Sequence, residues 1–231
     1  MSSTKFSFTA VKAAVASFYG SNKKVLNIAL PVLILIIGAA IFWTEYWKPK
    51  QESEAGAKLA RLQHYFAKDS FDVVLKGIKG KKMATAPQIA DDYGYTKKGK
   101  EAALMAAIAY MQTGKFEKAI KYYDKTDVND IILAPSILAG KASCYSELGK
   151  NDKAAKLYEE AGDLGKNDYC MQFYFYAGNL FELSKEYKSA VRCYEKIKSQ
   201  MGNRPTGLRE IDNNEIDKYI SKAKGLAGEL N

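Results

Sequence analysis

The chain repeats itself every 35 or 36 residues, and this period constrains its fold more than any other feature. Three segments align, and they read AYMQTGKFEKAIKYYDKT, CYSELGKNDKAAKLYEEA and NLFELSKEYKSAVRCYEKI. A small residue early in the second helix of each unit lets paired helices approach closely, and a tyrosine one turn later fills the space toward the next unit. The recurring residues are Ala119, Ala154 and Ala190, then Tyr123, Tyr158 and Tyr194, and also Tyr110, Tyr145 and Phe181. Such a period predicts stacked helix pairs rather than unrelated amphipathic helices.

The turns between paired helices carry a second signal. Gly114 and Gly149 follow the first helix of the first two units, where a glycine supplies the positive backbone angle of a helix C-cap. Lys185 stands at this place in the third unit, so the third turn departs from the pattern. The predicted fold class is all-α, with an N-terminal transmembrane helix followed by an α-solenoid of about three helix pairs with flanking helices.

An uncharged run from Val25 to Thr44 predicts the transmembrane helix. Its twenty residues match the length that a helix needs to cross about 30 Å of hydrocarbon. The small residues that signal-peptide cleavage would require, at 38–40, lie inside the run and are followed by further apolar residues. We therefore predict an uncleaved signal anchor.

Side chains at both ends of this run are suited to a membrane surface. Aromatic rings favour the headgroup layer, and lysines favour anionic lipid heads. The predicted membrane-interface residues are Trp43, Tyr46 and Trp47 at one end and Lys23 and Lys24 at the other. Because lysines flank both ends, the charge rule gives no clear orientation. Before the run, apolar residues at three- and four-residue steps from Phe6 to Tyr19 predict either a short surface helix, ended by a break at 20–22, or a frayed tail.

The sequence divides into five segments. They are a basic amphipathic segment at 1–24, the anchor at 25–47, a polar linker helix with leading helices at 48–99, three repeats at 100–203 and a C-terminal capping helix at 204–231. Within the leading helices, Asp69 is placed to cap one short helix and Pro87 is placed to open another. The capping helix is expected because a solenoid needs a polar-faced end to stay soluble.

From Lys100 to about Asn203, the repeat residues resemble the tetratricopeptide repeat family. Over nearly the whole chain, the order of parts resembles the YfgM-like ancillary subunits of the Sec translocon. The segments that carry this resemblance are the anchor ending FWTEYW, the polar helix ESEAGAKLARLQHYF, the stretch IADDYGYTKKGKEAAL and the closing helix EIDKYISKAK. The resemblance implies that the N-terminus is cytoplasmic, that the repeats are periplasmic, and that partners include the translocon and an anchored prolyl-isomerase-type chaperone.

In such repeats the first helix of each pair lines a concave groove, so the resemblance assigns groove positions by register. These positions are Glu101, Leu104, Ile108 and Met111 in the first unit, Ser136, Ala139, Ser143 and Ser146 in the second, and Gln172, Phe175, Asn179 and Glu182 in the third. Relatives that grip a C-terminal carboxylate use lysine and asparagine where this chain has Leu104 and Ile108. We therefore expect the groove to dock an apolar segment or helix.

The most aromatic stretch outside the anchor runs from Tyr169 to Phe181. Aromatic residues at helical spacing usually pack in a core, and this interpretation is preferred here. Phe175 alone is expected to face the groove.

Other functional classes have little support. Lysine and glutamate interleave along every helix, so the net charge of +9 does not indicate nucleic-acid binding. Cys144, Cys170 and Cys193 form no CxxC pair and predict neither a zinc site nor a disulfide framework. His64, the only histidine, lies on a polar helix without a nucleophile motif, and the sequence has no phosphate-binding loop or metal-ligand cluster. We predict no catalytic residue, no metal and no cofactor.

The function that these features predict is protein binding at a membrane. The leading hypothesis is a scaffold in the bacterial inner membrane, with its C-terminal domain in the periplasm, that works with the translocon, a periplasmic chaperone and exported clients. A second hypothesis is an anchored adaptor in envelope assembly, cell division or organelle protein import. An enzyme remains a third hypothesis only if a site forms across an interface.

Overall fold

The computed structural model describes residues 8–126, 133–165, 169–201 and 213–229, and all regular structure in these ranges is helical. The chain divides into two compact units, Met1–Gln51 and Glu52–Asn231. The all-α prediction is therefore confirmed, and the paired helices of the second unit form the predicted solenoid.

The described residues of the first unit are helical, with one kink. Helix α1 spans Phe8–Ile41 and has non-helical backbone angles at Asn22, at the break that the sequence predicts. A π-helical segment follows at Phe42–Trp47, where the Thr44 hydroxyl donates to the carbonyl of Ala40 at 3.1 Å. Such a hydroxyl competes with the main-chain ladder and favours a local widening of the helix. Helix α2 then spans Lys48–Phe66. Phe6, the start of the predicted surface helix, lies outside the described residues.

The helix from Asn22 to Phe66 contains the one stretch of the described chain that is long and apolar enough to cross a membrane. None of this stretch is buried, and Ile28 and Leu35 are each more than two-thirds exposed. A contiguous exposed apolar surface is typical of sites that contact a membrane or another protein.

Two short helices precede the solenoid. Helix α3 spans Phe71–Lys76, and Ser70 is the residue that precedes it. Asp69 was predicted to cap this helix, but it lies one residue further from the helix, in a left-handed conformation. Helix α4 spans Ala86–Asp92 and begins with a capping box, in which the side chains of Thr85 and Gln88 bond to each other's backbone N–H. Pro87 lies in the first turn, as the sequence predicts.

Within the described residues, the solenoid contains three helix pairs and a single final helix. The pairs are α5 (Lys97–Gln112) with α6 (Phe116–Tyr123), α7 (Ala134–Glu147) with α8 (Asn151–Leu164), and α9 (Tyr169–Leu183) with α10 (Tyr187–Met201), and α11 spans Asn213–Leu226. The three repeated alanines are fully buried where the paired helices meet. Their small size therefore permits the close approach that the period predicts.

The three turns within the pairs have one geometry. Gly114, Gly149 and Lys185 all have a positive φ, of 69°, 70° and 63°. In each turn the next N–H donates to a carbonyl five residues earlier, as from Lys115 to Tyr110 at 2.8 Å, which is the Schellman arrangement. The third turn thus departs from the pattern in its residue but not in its conformation.

Candidate protein-binding groove

The groove positions of the first unit form the most apolar part of the predicted surface. Leu104, Ile108 and Met111 are half-buried and pack against the buried core that helices α2 to α7 form. Glu101 is also half-buried, and it pairs with Lys98 at 2.6 Å. This part of the surface offers aliphatic and thioether groups whose contact with a ligand would remove apolar area from water.

The second unit provides small side chains. Ser136 is exposed, while Ala139, Ser143 and Ser146 are half-buried. The Ser143 side chain also makes a hydrogen bond to the hydroxyl of Tyr158 on the paired helix. Small residues leave space for the close approach of a ligand backbone.

The third unit differs because α11 covers part of it. Phe175 is only 8% exposed, and its ring meets the Tyr219 ring edge-on at 5.1 Å between centroids. Lys222 on α11 donates to the Glu182 carboxylate at 2.5 Å. The register assigned Phe175 to the groove, but in the structure this ring belongs to the buried core that helices α8 to α11 form. Sequence analysis did not identify Tyr219 and Lys222 as partners of these positions, because helix periodicity does not reveal which helix α11 contacts.

The remaining groove positions of the third unit stay accessible. Gln172 is half-buried and donates to the hydroxyl of Tyr176 at 2.7 Å. Asn179 is exposed and bonds to the hydroxyl of Tyr194 at 2.9 Å.

The repeated tyrosines each contact a predicted groove position. Tyr123 contacts the Met111 sulfur at 3.6 Å, Tyr158 bonds to Ser143, and Tyr194 bonds to Asn179. In all three cases a side chain on the second helix reaches a groove position on the first. Burial raises the pKa of each of these phenols above its ordinary value. The hydroxyls are therefore neutral at physiological pH and hold the groove side chains through hydrogen bonds.

The described residues carry no group of three or more metal-binding side chains. Burial raises the pKa of the Cys144 thiol to about 11 and that of the Cys193 thiol to about 12, so neither is a nucleophile at neutral pH. His64 is exposed on α2.

The predicted membrane-interface residues lie on the surface of the first unit. Trp43, Tyr46 and Trp47 are exposed within the π-helical segment, and the Tyr46 ring stacks on Phe42 with 5.4 Å between centroids. Lys23 and Lys24 are exposed just after the kink. The aromatic residues and the lysines thus flank opposite ends of the apolar stretch.

Comparisons with known proteins agree with the helix pairs. Residues 101–125 and 137–168 match two family models, each described as tetratricopeptide repeat. A similar solved structure is described as a variant kinesin light chain from Podosopora anserina with nearly identical TPR-like repeats. It is 12% identical, superposes with a TM-score of 0.52, and the match covers 77% of this chain and 88% of that one. A comparison with curated protein sequences found no significant match.

Proposed function

Because this chain carries tetratricopeptide repeats, we propose that it is a membrane-anchored scaffold whose groove in the first two repeats binds a partner protein. The observation that carries the proposal is the contrast along the groove. In the third repeat α11 covers Phe175 and pairs with Glu182, whereas Ser136 is exposed and Leu104 and Ile108 are only half-buried. An apolar segment or amphipathic helix of a partner fits this open part.

Anchoring is the second element of the proposal. The apolar stretch within Asn22–Phe66 contains no buried residue and has the length of a membrane span. The exposed rings of Trp43, Tyr46 and Trp47 lie at its C-terminal end, where an aromatic belt would meet the headgroups. Lys23 and Lys24 lie at its other end, where anionic lipid heads would attract them.

The partner that we propose is the Sec translocon, together with a periplasmic chaperone and exported clients. The order of parts along the chain supports this choice, because an amphipathic start, one anchor and a repeat domain resemble the ancillary translocon subunits. In this proposal the protein lies in the bacterial inner membrane, with a cytoplasmic N-terminus and a periplasmic repeat domain.

Affinity purification tests the proposal. Full-length protein is recovered from native membranes in mild detergent, and its partners are identified by mass spectrometry. We expect translocon subunits with the wild type and their loss with Ser136→Arg, which places a long charged side chain at an exposed groove position. Ser53→Arg is the matched control, because Ser53 is an exposed serine on α2, outside the groove.

Three results would each count against the proposal in a distinct way. Recovery of the protein alone would contradict a stable scaffold. A defined complex without translocon subunits would favour the second hypothesis, an adaptor in another envelope or organelle process. Equal capture by Ser136→Arg and the wild type would place the binding surface elsewhere.

A further inference from the structure

Lysines cluster in the connection between α3 and α4. Lys76 lies at the end of α3, and Lys79, Lys81 and Lys82 lie in the loop that follows it. Residues 73–90 contain these four lysines and no aspartate or glutamate, whereas lysine and glutamate interleave along the helices of the repeats. The lysine loop, residues 77–82, therefore carries positive charge that its neighbours in the sequence do not balance.

The three lysines of the loop have no counter-charge in the fold either. Lys79, Lys81 and Lys82 are exposed, and in the part of the chain that the structure describes none of their side chains forms an ion pair or a hydrogen bond. Asp72 is already paired, because Lys76 bonds to it at 2.7 Å. That hydrogen bond is the main reason that the pKa of Asp72 is lowered, and the charge of Lys115 adds to the effect.

A second group of lysines, at the start of α5, shows the contrast. Lys98 pairs with Glu101 at 2.6 Å, and Glu52 accepts hydrogen bonds from the backbone N–H groups of Lys97 and Lys98. There the fold brings carboxylates to the clustered positive charge. At the lysine loop it does not, so the mutual repulsion of the three ammonium groups is left for a ligand to relieve.

The backbone presents these lysines in a defined arrangement. The N–H of Lys81 donates to the carbonyl of Ile78 at 3.0 Å, which closes a turn. Gly80 has a φ of 81° and occupies the position at which a type II turn requires a positive φ. Met83 follows the turn and packs against the buried core that helices α2 to α7 form. The loop is therefore held at both ends while its lysines point into solvent.

The composition of the loop selects the class of ligand. Residues 72–92 contain no aromatic residue on which a nucleic-acid base could stack, and no arginine to bind phosphate in a bidentate way. Segments that bind a membrane surface add apolar side chains that enter it, but the exposed residues of this loop are lysine and glycine. Lysine presents a point charge on a flexible stem, which suits carboxylates at irregular spacing.

We propose that the lysine loop binds an acidic segment of a partner protein, through Lys79, Lys81 and Lys82. The groove positions lie on α5, α7 and α9, so this is a second contact surface with a different chemistry. The groove would bind by removing apolar area from water, whereas the loop attracts carboxylates over a longer range. The two surfaces can therefore be tested separately.

The probe is a fluorescently labelled hexaglutamate peptide, titrated with full-length protein in non-ionic detergent and followed by anisotropy. An ionic strength of about 0.01 M is used, because the Debye length is then about 30 Å. We expect saturable binding of hexaglutamate and none of hexaglutamine. The triple variant Lys79→Gln, Lys81→Gln and Lys82→Gln should bind hexaglutamate about tenfold more weakly, because three exposed charge pairs are lost.

The control removes the same charge elsewhere, because any basic protein attracts a polyanion. Lys156→Gln, Lys188→Gln and Lys218→Gln replace exposed lysines on α8, α10 and α11. This triple variant should bind hexaglutamate as the wild type does, and circular dichroism confirms that both variants are folded. Equal weakening in the two triple variants would overturn the proposal, since net charge rather than the loop would then attract the peptide.

Two further measurements separate this proposal from its alternatives. In nanodiscs, protection of the loop lysines from an amine-reactive reagent by phosphatidylglycerol but not by hexaglutamate would assign the loop to lipid and overturn the proposal. Translocon capture reports on the groove. If Ser136→Arg loses capture while hexaglutamate still binds at the loop, the loop proposal stands and the groove proposal falls. If capture persists while hexaglutamate fails to bind, the reverse holds.

Discussion

Lys185 shows how a single residue can break a sequence pattern and keep its geometry. Its φ of 63° is left-handed, a conformation that costs a side chain with a Cβ about 1–2 kcal/mol. The same hydrogen bonds close all three turns, so the fold imposes the conformation on lysine. A sequence comparison identifies the missing glycine but cannot reveal that the backbone stays unchanged.

We therefore predict that Lys185→Gly raises the free energy of unfolding by about 1 kcal/mol, because glycine adopts a positive φ without steric cost. The measurement is the urea midpoint of full-length protein in non-ionic detergent. Gly149→Ala is the converse change at an equivalent turn with open space around the Cβ, and it should lower stability by a similar amount. A lower midpoint for Lys185→Gly would show that the lysine side chain itself stabilises the turn.

Phe175 shows that the repeat register alone does not predict whether a groove position is exposed. The repeat positions of Ala119, Ala154 and Ala190 are buried as predicted, because a close helix pair needs them to be small. Phe175 occupies a groove position, but Tyr219 covers it. The alanine contacts lie within one repeat and can be read from the period. The cover comes from a helix outside the period, so the sequence pattern contains no signal for it.

At the scale of elements, an ion network joins α8 to α10. Arg192 donates from Nε and Nη2 to the two oxygens of Glu159, each at 2.9 Å, and Lys196 bridges Glu159 and Asp163 at 3.0 and 2.7 Å. The Glu159 side chain is 14% exposed. The hydrogen bond from Arg192 is the main reason that the pKa of Glu159 is below its ordinary value.

The network predicts a specific acid sensitivity. Because the folded-state pKa is lowered, the stabilisation by Glu159 is present above the ordinary glutamate pKa of about 4.3 and is lost as the pH falls through the folded value. Glu159→Gln should lower the free energy of unfolding at pH 7 by about 1–2 kcal/mol. As the pH falls below about 4.3, the free energy of unfolding of this variant should decrease less than that of the wild type.

Urea midpoints measured between pH 7 and pH 3 test this prediction. Glu160→Gln is the matched control, since Glu160 is the adjacent, exposed glutamate on the same helix. It should reproduce the pH profile of the wild type. If both variants gave the same profile, the acid sensitivity would arise from the general charge of the domain rather than from the α8–α10 network.

Helix positions were easier to predict from the sequence than the contacts between helices. Pro87 and the repeat glycines mark where helices begin and end, because each acts through its own backbone. In contrast, Glu52 on α2 accepts hydrogen bonds from the N–H groups of Lys97 and Lys98, at 2.8 and 2.9 Å, and so stabilises the start of α5. This contact spans more than forty residues, and neither helix contains a local signal for it.

At the scale of the whole molecule, the proposed membrane span predicts that the segments before and after the apolar stretch lie in different compartments. The apolar stretch was evident from the sequence because length and hydropathy alone determine a candidate span. Orientation was not, because Lys23 and Lys24 before the stretch are balanced by Lys48 and Lys50 after it. The proposed periplasmic location of the repeats therefore needs a direct test.

The native cysteines favour such a test. All three are at most 1% exposed, and burial raises the thiol pKa of Cys144 and of Cys193. Folded wild-type protein should therefore remain unlabelled by a membrane-impermeant maleimide and react only after denaturation. A new cysteine at an exposed serine then reports its own location without removal of the native thiols.

Ser17→Cys precedes the apolar stretch, and Ser221→Cys lies on α11; both positions are exposed. In intact spheroplasts we expect labelling of Ser221→Cys only, and labelling of Ser17→Cys after lysis, because a single span with a cytoplasmic N-terminus separates the two positions. The reverse pattern would place the repeats in the cytosol and favour the adaptor hypothesis. Labelling of both positions in spheroplasts would contradict a single membrane span, because residues on opposite sides of one span cannot face the same compartment.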